Sequence, residues 1–364
     1  MVKVVGIDPG TKSFDFCGLD DGRVFMDTTI PSIEIAKDPK VVIDLLRSAG
    51  KLDLIVGPSG YGLPLTHISQ ITDREHFLTI LVRPDDLKVG VLIGLRKLVR
   101  MMKDEGFNVY FIPGVIHLPT VPLHRKVNKI DMGTADKLCC TVLAIYDQAK
   151  RLGISYRETS LILVEIGFGF TAIIGVENGE VVDGIGGTTG GIGFLTLGAM
   201  DGELAYLLNT FDKELLFQGG AAYIASGDGS ITPEEFADKV VLGGRYKVAW
   251  EALMENIVKG VAAIKASVPN PKEILISGRL SRVDKIYDEV SKRLSKFGTV
   301  RKVGRFAVVA KEAAEGAALI ADGLAGGRFK DLVDTVRIRE ASGTVLDYIY
   351  LKNIDEVKRK YGVI

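Results

Sequence analysis

The sequence has few cysteines, no excess of charge of either sign and no long uninterrupted apolar run. Its three cysteines, Cys17, Cys139 and Cys140, form no C-x-x-C pair, and an odd number does not suit a disulfide framework. We therefore expect a protein of the reducing cytoplasm. Lysine plus arginine and aspartate plus glutamate both number 46, so the basic excess of a polyanion binder is missing. A nucleic-acid partner is accordingly not expected.

Membrane-spanning and metal-cage patterns are also missing. The longest apolar run, LILVEIGFGFTAIIGV, is interrupted by Glu165 and three glycines, whereas a membrane span needs about 20 apolar residues. The N-terminal MVKVVGIDPG meets Asp8 too early for a signal peptide. The four histidines show no H-x-x-x-H or H-E-x-x-H spacing, which argues against a zinc site made of protein ligands. We expect a soluble protein with no membrane partner.

The composition that is present suits a compact α/β protein. Hydrophobic residues make up 47% of the 364 residues, and 42 glycines supply many backbone turns. A chain of this length can form two domains, each with its own core.

The stretch VVGIDPGTKSFDFCGLDDGRV, residues 4–24, reads as a strand, a glycine turn and a second strand, and it recurs in the second half of the chain. A shift of 157 residues superposes Asp8, Gly10, Gly18, Gly22 and Val24 on Glu165, Gly167, Gly175, Gly179 and Val181. A separate shift of 221 residues superposes Lys51, Leu54, Ile55 and Gly57 on Lys272, Leu275, Ile276 and Gly278. These ordered matches predict an internal duplication.

Two related halves with an acid in each glycine-rich turn predict a cleft between two domains. Backbone N–H groups in such turns can hold an anion, and a carboxylate at the end of the preceding strand can hold Mg²⁺ through water. No G-x-x-x-x-G-K-[ST] motif is present, which excludes a P-loop. GFGFTA at 167–172 fits a loose dinucleotide fingerprint, but the chain continues into a hairpin rather than a helix.

These motifs resemble those of the superfamily that contains acetate and sugar kinases, heat-shock ATPase chaperones and actin. GIDPGTKS is similar to its first phosphate motif, EIGFGFT to its second, D-x-G-x-G-x-[ST], and ILISGR to its adenosine motif. GTADKLCCTVLAI and EAAEGAALIA resemble its two connecting helices. The resemblance implies that ATP contacts Asp8, Gly10, Thr11, Lys12, Ser13, Glu165, Gly167, Gly169, Thr171, Gly278, Arg279 and Glu315.

The same resemblance implies an α/β fold of duplicated actin-like (ribonuclease H-like) domains with a nucleotide cleft between them. The expected units are residues 1–133, residues 134–330 and a closing tail at 331–364. Mg²⁺ would be held by Asp8 and Glu165. The chain departs from the family pattern in two places: Glu165 replaces an Asp, and Arg279 replaces the second glycine of the adenosine motif.

Two acids are candidate catalytic residues. GTADK resembles the G-x-D-R element of type III pantothenate kinases, which makes Asp136 the first candidate, and Asp131 resembles an Asp of acetate kinases. Alternatively, Asp136 is only a favoured acid in the first turn of a helix that Thr134 caps. Transfer to a carboxylate needs a cation rather than a base. Acetate kinases supply an arginine after the second phosphate motif, but the segment GGTTGGIGFLTLGAMDGE has none.

Other cations could take the place of that arginine. The candidates in the first half are Arg83, His124, Arg125 and Lys126, although a solvated basic loop is the better explanation for each of them.

The leading functional hypothesis is ATP–Mg²⁺-dependent phosphoryl transfer to a small-molecule acceptor. Within the superfamily the chain looks most like an archaeal family labelled predicted butyrate kinase, which implies a short-chain carboxylate acceptor. Two alternatives remain open: a kinase of a hydroxyl compound that uses Asp136, and an ATP-driven switch that a partner protein reads. A homodimer is the expected assembly.

Overall fold

The computed structural model describes residues 1–10, 12–57, 60–83 and 90–364. Its strands are β1 Lys3–Pro9, β2 Ser13–Asp20, β3 Arg23–Pro31, β4 Leu54–Val56, β5 Thr66–His67, β6 Val109–Phe111, β7 Leu161–Ile166, β8 Thr171–Glu177, β9 Glu180–Ile185, β10 Glu273–Ser277 and β11 Val300–Lys302.

The α-helices begin in the first half with α1 Ser32–Lys37, α2 Lys40–Ser48, α3 Asp73–Ile80, α4 Gly90–Asp104, α5 Leu123–Lys126 and α6 Ala135–Leu152. They continue with α7 Gly202–Leu208, α8 Ala221–Ser226, α9 Pro233–Lys239, α10 Gly244–Ile264, α11 Asp284–Leu294, α12 Glu312–Leu324, α13 Lys330–Val336 and α14 Ile354–Lys360. Short 3₁₀ turns lie between them. In the part of the chain that the structure describes, no helix has the length and apolarity to cross a bilayer.

The two sheets repeat one strand plan. The first has the order β3-β2-β1-β4-β6-β5, and the second has the order β11-β10-β7-β8-β9. In each sheet the first three strands in chain order are antiparallel neighbours, and two later strands, β4 and β6 in the first sheet and β10 and β11 in the second, run parallel to the first strand. The short β5 is antiparallel to β6 and adds an edge strand to the first sheet. Thus β7, β8, β9, β10 and β11 correspond to β1, β2, β3, β4 and β6. The predicted duplication is confirmed.

Details of the hairpins are duplicated as well. The β2–β3 turn places Asp21 and Gly22 at φ 49° and 77°, and the β8–β9 turn places Asn178 and Gly179 at φ 53° and 76°. Two consecutive residues with positive φ are typical of a type I′ turn, which suits the twist of antiparallel strands. The strand register also shifts after Gly18 in β2 and after the matching Gly175 in β8.

Helices α6 and α12 pack together between the two sheets, with α12 against β1, β2 and β4 and α6 against β7. A Cβ at Gly316 of α12 would overlap the Cys139 carbonyl of α6, and a Cβ at Gly6 of β1 would overlap the backbone at Ala318. Close backbone approach therefore explains the small residues of α12. Cys139 and Cys140 are buried. The two helices form a tightly packed layer between the sheets.

The hydrophobic side chains form two clusters, one that includes residues of both sheets and one that includes only residues of the second sheet and its helices. The first cluster includes most of the apolar residues of α6, all the apolar residues of α12 and residues from the closing segment such as Leu332, Val345 and Val363. The second joins β7 and β10 to α8, α9, α10 and α11. The domain boundaries expected from the sequence stay a prediction.

Candidate active site

The first glycine turn is fixed by a lysine from a distant part of the chain. Asp8 ends β1 and faces Asp15 of β2 in the strand register. The Lys311 ammonium lies 2.7 Å from Asp15 Oδ2 and donates to Ser13 Oγ at 2.7 Å. A Cβ on Gly10 would lie 2.8 Å from the Ser13 carbonyl oxygen and 3.2 Å from Lys311 Nζ, so the turn has no room for a side chain. Thr11 lies outside the described residues.

Two acids, the partly exposed Asp27 and the buried Glu315, hold the segment that carries Lys311. Asp27 on β3 accepts hydrogen bonds from three consecutive backbone amides at 308–310, at 2.6–3.1 Å. Glu315 is fully buried and accepts from Arg305 Nε at 2.8 Å and from the amides of residues 306 and 307. The nucleotide contact expected for Glu315 is therefore corrected: its carboxylate is occupied in ordering the segment before Lys311.

The start of α6 contributes an acid and a lysine. Thr134 occupies the N-cap position, but its hydroxyl donates to Asp136 and makes no cap hydrogen bond. Lys137 Nζ lies 2.8 Å from Asp136 Oδ2 and 2.8 Å from Glu165 Oε2. This ammonium joins the start of α6 to the end of β7, at two of the acids that the sequence singled out.

Glu165 lies where the second glycine turn meets β10. A Cβ on Gly167 would lie 3.3 Å from both Glu165 carboxylate oxygens, and one on Gly278 would lie 2.6 Å from Oε1. Gly278 also has a φ of 92°, which favours glycine. Oε2 of Glu165 and the hydroxyl of Thr171 are buried without an aligned hydrogen bond from the described residues, although Lys137 is within ion-pair distance.

The two turns approach each other directly. The Lys12 ammonium of the first turn lies 5.4 Å from the ring centroid of Phe168, which is the residue between Gly167 and Gly169 in the second. A cation over an aromatic face is attracted by its quadrupole. A Cβ at Gly169 would meet only Thr196, at 3.9 Å.

Crowding of charges shifts the pKa values of these groups. Burial and the nearby Asp136 raise the pKa of Asp8 to about 7. Burial also raises the pKa of Glu165, with Lys137 acting in the opposite direction. Burial opposes ionisation of Asp136, but Lys137 and Thr134 bring the pKa of Asp136 below its usual value. Despite its burial, the pKa of Lys137 is raised well above the usual value by Asp136 and Glu165. Asp136 and Lys137 are therefore a charged pair beside a proton-binding Asp8.

Asp8 and Glu165 suit a Mg²⁺ ion that keeps several water ligands better than a metal coordinated by protein side chains alone. Among the described residues, no three His, Cys, Asp or Glu side chains are grouped to hold a metal. Mg²⁺ in phosphoryl-transfer sites commonly takes one or two carboxylates, with waters and phosphates as its other ligands. Asp8 has a raised pKa that a cation would lower, and a metal at Glu165 would share that carboxylate with Lys137. Metal binding by these two acids stays a prediction.

Arg279, the residue that departs from the adenosine motif, forms an ion pair in the structure. Arg279 begins a 3₁₀ turn and pairs with Glu234 at the start of α9. Arg282 of the same turn lies 3.0 Å from Glu312 of α12. The guanidinium of Arg279 is thus held toward α9, and its predicted contact with a purine is not tested by these interactions.

Both carboxylate oxygens of Asp131 accept hydrogen bonds. Its Oδ1 accepts from the Gly133 amide at 3.0 Å, and its Oδ2 accepts from the Thr188 amide at 3.1 Å and hydroxyl at 3.2 Å. It is 4% exposed. Because its acceptor sites are used, Asp131 fixes the glycine-rich loop after β9, and its catalytic assignment has no support in this geometry.

A lysine that the sequence did not single out lies beside this loop. The Lys213 ammonium donates to the carbonyls of Ile80 and, at 3.2 Å, Leu81, and it lies 4.9 Å from the Tyr61 ring centroid. Burial lowers the pKa of Lys213 to about 8, against the opposing charge of Asp131. A residue of the second half therefore reaches across to the first.

The basic residues expected to replace the missing arginine lie elsewhere, with one exception. Lys126 is buried, where it donates to the Leu118 carbonyl at 2.8 Å, and Arg125 donates to the Val182 carbonyl at 2.8 Å. His124 is exposed. Arg83 donates to the carbonyl of Phe211, next to the Lys213 segment. In the part of the chain that the structure describes, the cations at the site are instead Lys12, Lys137, Lys213 and Lys311. Of these, only Lys12 was predicted from the sequence.

Solved structures with the same fold include an acetate kinase and a propionate kinase. An acetate kinase from Entamoeba histolytica is 11% identical, with a TM-score of 0.58 over 81% of this chain and 87% of that chain. A propionate kinase from Francisella tularensis is 14% identical, with a TM-score of 0.61 over 87% and 99%. A ROK family protein from Streptococcus pneumoniae, in complex with sucrose, is 14% identical, with a TM-score of 0.50 over 87% and 96%.

These likenesses, together with the repeated strand plan, confirm the duplicated actin-like fold. A comparison with curated proteins gave no match. A family model described as "Protein of unknown function (DUF1464)" matches residues 6–351. With almost the whole chain matched, this protein belongs to the DUF1464 family.

Proposed function

We propose that this protein transfers the γ-phosphoryl group of ATP to a short-chain carboxylate such as butyrate, with Mg²⁺. The observation that carries the proposal is the position of Lys137, whose ammonium lies 2.8 Å from both Asp136 and Glu165 where the two glycine turns converge. Phosphoryl transfer depends mainly on positioning and on neutralising charge, and this arrangement concentrates both at one point.

The residues divide the work as follows. The phosphates would lie at the two glycine turns, and Lys311 keeps the first turn in shape through Ser13 and Asp15. Asp8 and Glu165 would hold Mg²⁺, which would neutralise phosphate charge when bound with ATP. Lys137 supplies the cation that acetate kinases take from an arginine. An acceptor carboxylate oxygen bonds to the γ-phosphorus as the bond to ADP breaks, giving an acyl phosphate and ADP.

A carboxylate acceptor agrees with the charges beside the glycine-rich loop. A carboxylate needs no general base, and the lowered pKa of Asp136 makes that group a weak proton acceptor. Lys213 offers a partly buried ammonium for the carboxylate. The Phe170 ring, which lies edge-on to Phe217 and against Gly187, offers an apolar contact for a short alkyl chain.

A second candidate is a kinase of a hydroxyl compound. Asp136 keeps 34% of its side-chain surface exposed, and Thr134 and Lys137 hold it in one orientation. An oriented carboxylate of this kind can accept the proton of a substrate hydroxyl.

An acceptor panel with two variants separates these functions. ATP turnover is measured with acetate, propionate, butyrate and a set of sugar and polyol acceptors, for the native protein, Asp136→Asn and the exposed-acid control Asp355→Asn. The carboxylate kinase predicts butyrate-dependent turnover that survives Asp136→Asn at a reduced rate. Turnover with hydroxyl acceptors alone, abolished by Asp136→Asn, supports the second candidate. ATP binding without turnover of any acceptor supports an ATP switch, and lack of nucleotide binding overturns all three.

A further inference from the structure

A cavity of about 920 Å³ lies away from the glycine turns, at the other end of the first sheet. Its wall includes Gly22 of the β2–β3 turn, the last turns of α6, the 3₁₀ turn after α6 and the start of α13. Lys150 in this wall lies on α6 about 21 Å from Asp136 along the helix axis, at 1.5 Å per residue. The cavity is therefore separate from the candidate active site, although α6 and α12 extend to both.

One side of the cavity is aromatic. Tyr146 meets Phe306 and Phe329 edge-on, with ring centroids 6.2 Å and 5.4 Å apart and planes at 88°. Tyr156 also lines the cavity. Phe329 is 5% exposed, and its backbone is held in place because its amide donates a hydrogen bond to the buried Asp322 carboxylate at 2.8 Å. Rings held in this way present a preformed surface for a flat ligand.

The other side is basic. Lys150, Arg157 and Arg328 all line the cavity. Among the described residues none of these three lies within 4.0 Å of a carboxylate, and Lys150 Nζ instead lies 5.5 Å from the Tyr146 ring centroid. Two carboxylates share the wall: Asp331, and Asp334, which pairs with Lys330 and lies 3.9 Å from Arg339. The lining therefore keeps cations in excess.

We propose that this cavity binds a planar aromatic anion, either an aromatic carboxylate or an aromatic phosphate ester. The two guanidinium groups match the paired oxygens of such an anion, and the tyrosine and phenylalanine rings match its flat face. The cavity volume lies within the range of about 300–1,000 Å³ that is usual for small-molecule sites. This site does not depend on the reaction in the cleft.

Titration calorimetry with two small aromatic anions tests the site. 1-Naphthyl phosphate and 2-naphthoate represent the two anion classes, and 2-naphthalenemethanol is the uncharged control. We expect saturable binding of one molecule of at least one anion, unchanged by saturating ATP and Mg²⁺, and at least tenfold weaker binding of the alcohol. The anion with the higher affinity identifies the class.

Variants locate the binding. The double variant Arg157→Ala/Arg328→Ala is expected to weaken anion binding at least tenfold, and Tyr146→Leu is expected to weaken it independently. Arg359→Ala, an exposed arginine on α14, is the matched control and should bind like the native protein. Circular dichroism confirms that each variant is folded. Absence of saturable binding, displacement of the probe by ATP, or native affinity in the double variant and in Tyr146→Leu would overturn the proposal.

Discussion

Lys137 at the start of α6 lies 2.8 Å from the carboxylate of Glu165 at the end of β7, and both side chains are largely buried, at 14% and 7% exposure. The same ammonium lies 2.8 Å from Asp136. An ion pair in this position links the start of α6, the helix that packs on α12 and β7, to the end of the strand that leads into the second glycine turn. It also places a fixed positive charge beside the acids that are expected to meet Mg²⁺.

Removal of the Lys137 charge should reduce both turnover and stability. Lys137→Met leaves Glu165 buried without its cation, so we expect a loss of about 3 kcal/mol in the free energy of unfolding. Loss of one preorganised charge at the transferring phosphoryl group typically lowers kcat by about 10²–10³-fold. Urea unfolding and steady-state kinetics measure the two effects. Lys137→Arg keeps the charge and should retain more of each, and the exposed Lys259→Met should change neither. Native kcat in Lys137→Met would contradict the role.

Asp8 should make stability depend on pH. The pKa of Asp8 is about 7 in the folded protein, against about 4 for an unperturbed aspartate. The folded state therefore keeps a proton that the unfolded chain has released, and the stability present below about pH 4 declines until about pH 7. Asp8→Asn removes this decline. From pH 5 to pH 8, the variant should gain about 1–3 kcal/mol relative to the native protein in urea unfolding.

The same shift predicts proton competition with the metal. Mg²⁺ requires the ionised carboxylate, so the increase in melting temperature that Mg²⁺ and ATP produce should become larger as the pH rises through 7. Asp355→Asn should behave like the native protein in both experiments. An identical pH decline in Asp8→Asn and the native protein would show that Asp8 is ionised throughout.

Lys213 should control the affinity for the acceptor. If its ammonium binds the carboxylate, Lys213→Ala raises KM for butyrate about tenfold or more, with a smaller change in kcat. Since the pKa of Lys213 is about 8, KM in the native protein should rise above pH 8, and Lys213→Arg should abolish that rise. The exposed Lys352→Ala is the control. A flat pH profile of KM, with native KM in Lys213→Ala, would place the acceptor elsewhere.

A side chain at Gly278 should be unfavourable for two reasons, the positive φ and the overlap with neighbouring atoms. Gly50 has only the positive φ, so a comparison of the two positions separates these effects. Gly278 has φ 92° and its Cβ would lie 2.5 Å from the Ile166 carbonyl oxygen and 2.6 Å from Glu165 Oε1. Gly50 has φ 75° with open space around it. Gly50→Ala should cost about 1–2 kcal/mol of unfolding free energy, the strain of the left-handed backbone alone. Gly278→Ala should cost more and also weaken nucleotide binding, as measured by calorimetry. Equal costs and native nucleotide affinity would mean that Glu165 moves freely.

The sequence was sufficient to predict the fold because duplication leaves local marks. Asp8 and Glu165 end equivalent strands, Gly22 and Gly179 occupy equivalent turns, and each pair follows from strand and turn chemistry within about 20 residues. The confirmed strand plan has the same origin. Local patterns also located α6, although they assigned the Thr134 hydroxyl to a cap that it does not make.

The cations of the site could not be predicted in the same way. Lys137, Lys213 and Lys311 are defined by contacts with Glu165, Ile80 and Ser13, which are distant in sequence. The adjacent Asp136–Lys137 pair was the one local signal, and it became informative only with the G-x-D-R resemblance. Asp131 resembled a catalytic acid, yet the amide of Thr188 uses its carboxylate. Long-range hydrogen bonds leave no periodic pattern in the chain.

In the proposed reaction the γ-phosphoryl group of ATP passes to a carboxylate beside the Lys137–Glu165 ion pair. Phosphorus NMR of the protein with ATP, Mg²⁺ and butyrate tests it most directly. We predict a butyrate-dependent acyl phosphate resonance that grows as ATP is converted to ADP, and that is lost in Glu165→Gln and retained in the control Asp355→Asn. Release of inorganic phosphate alone, at the same rate with and without butyrate, would contradict the claim.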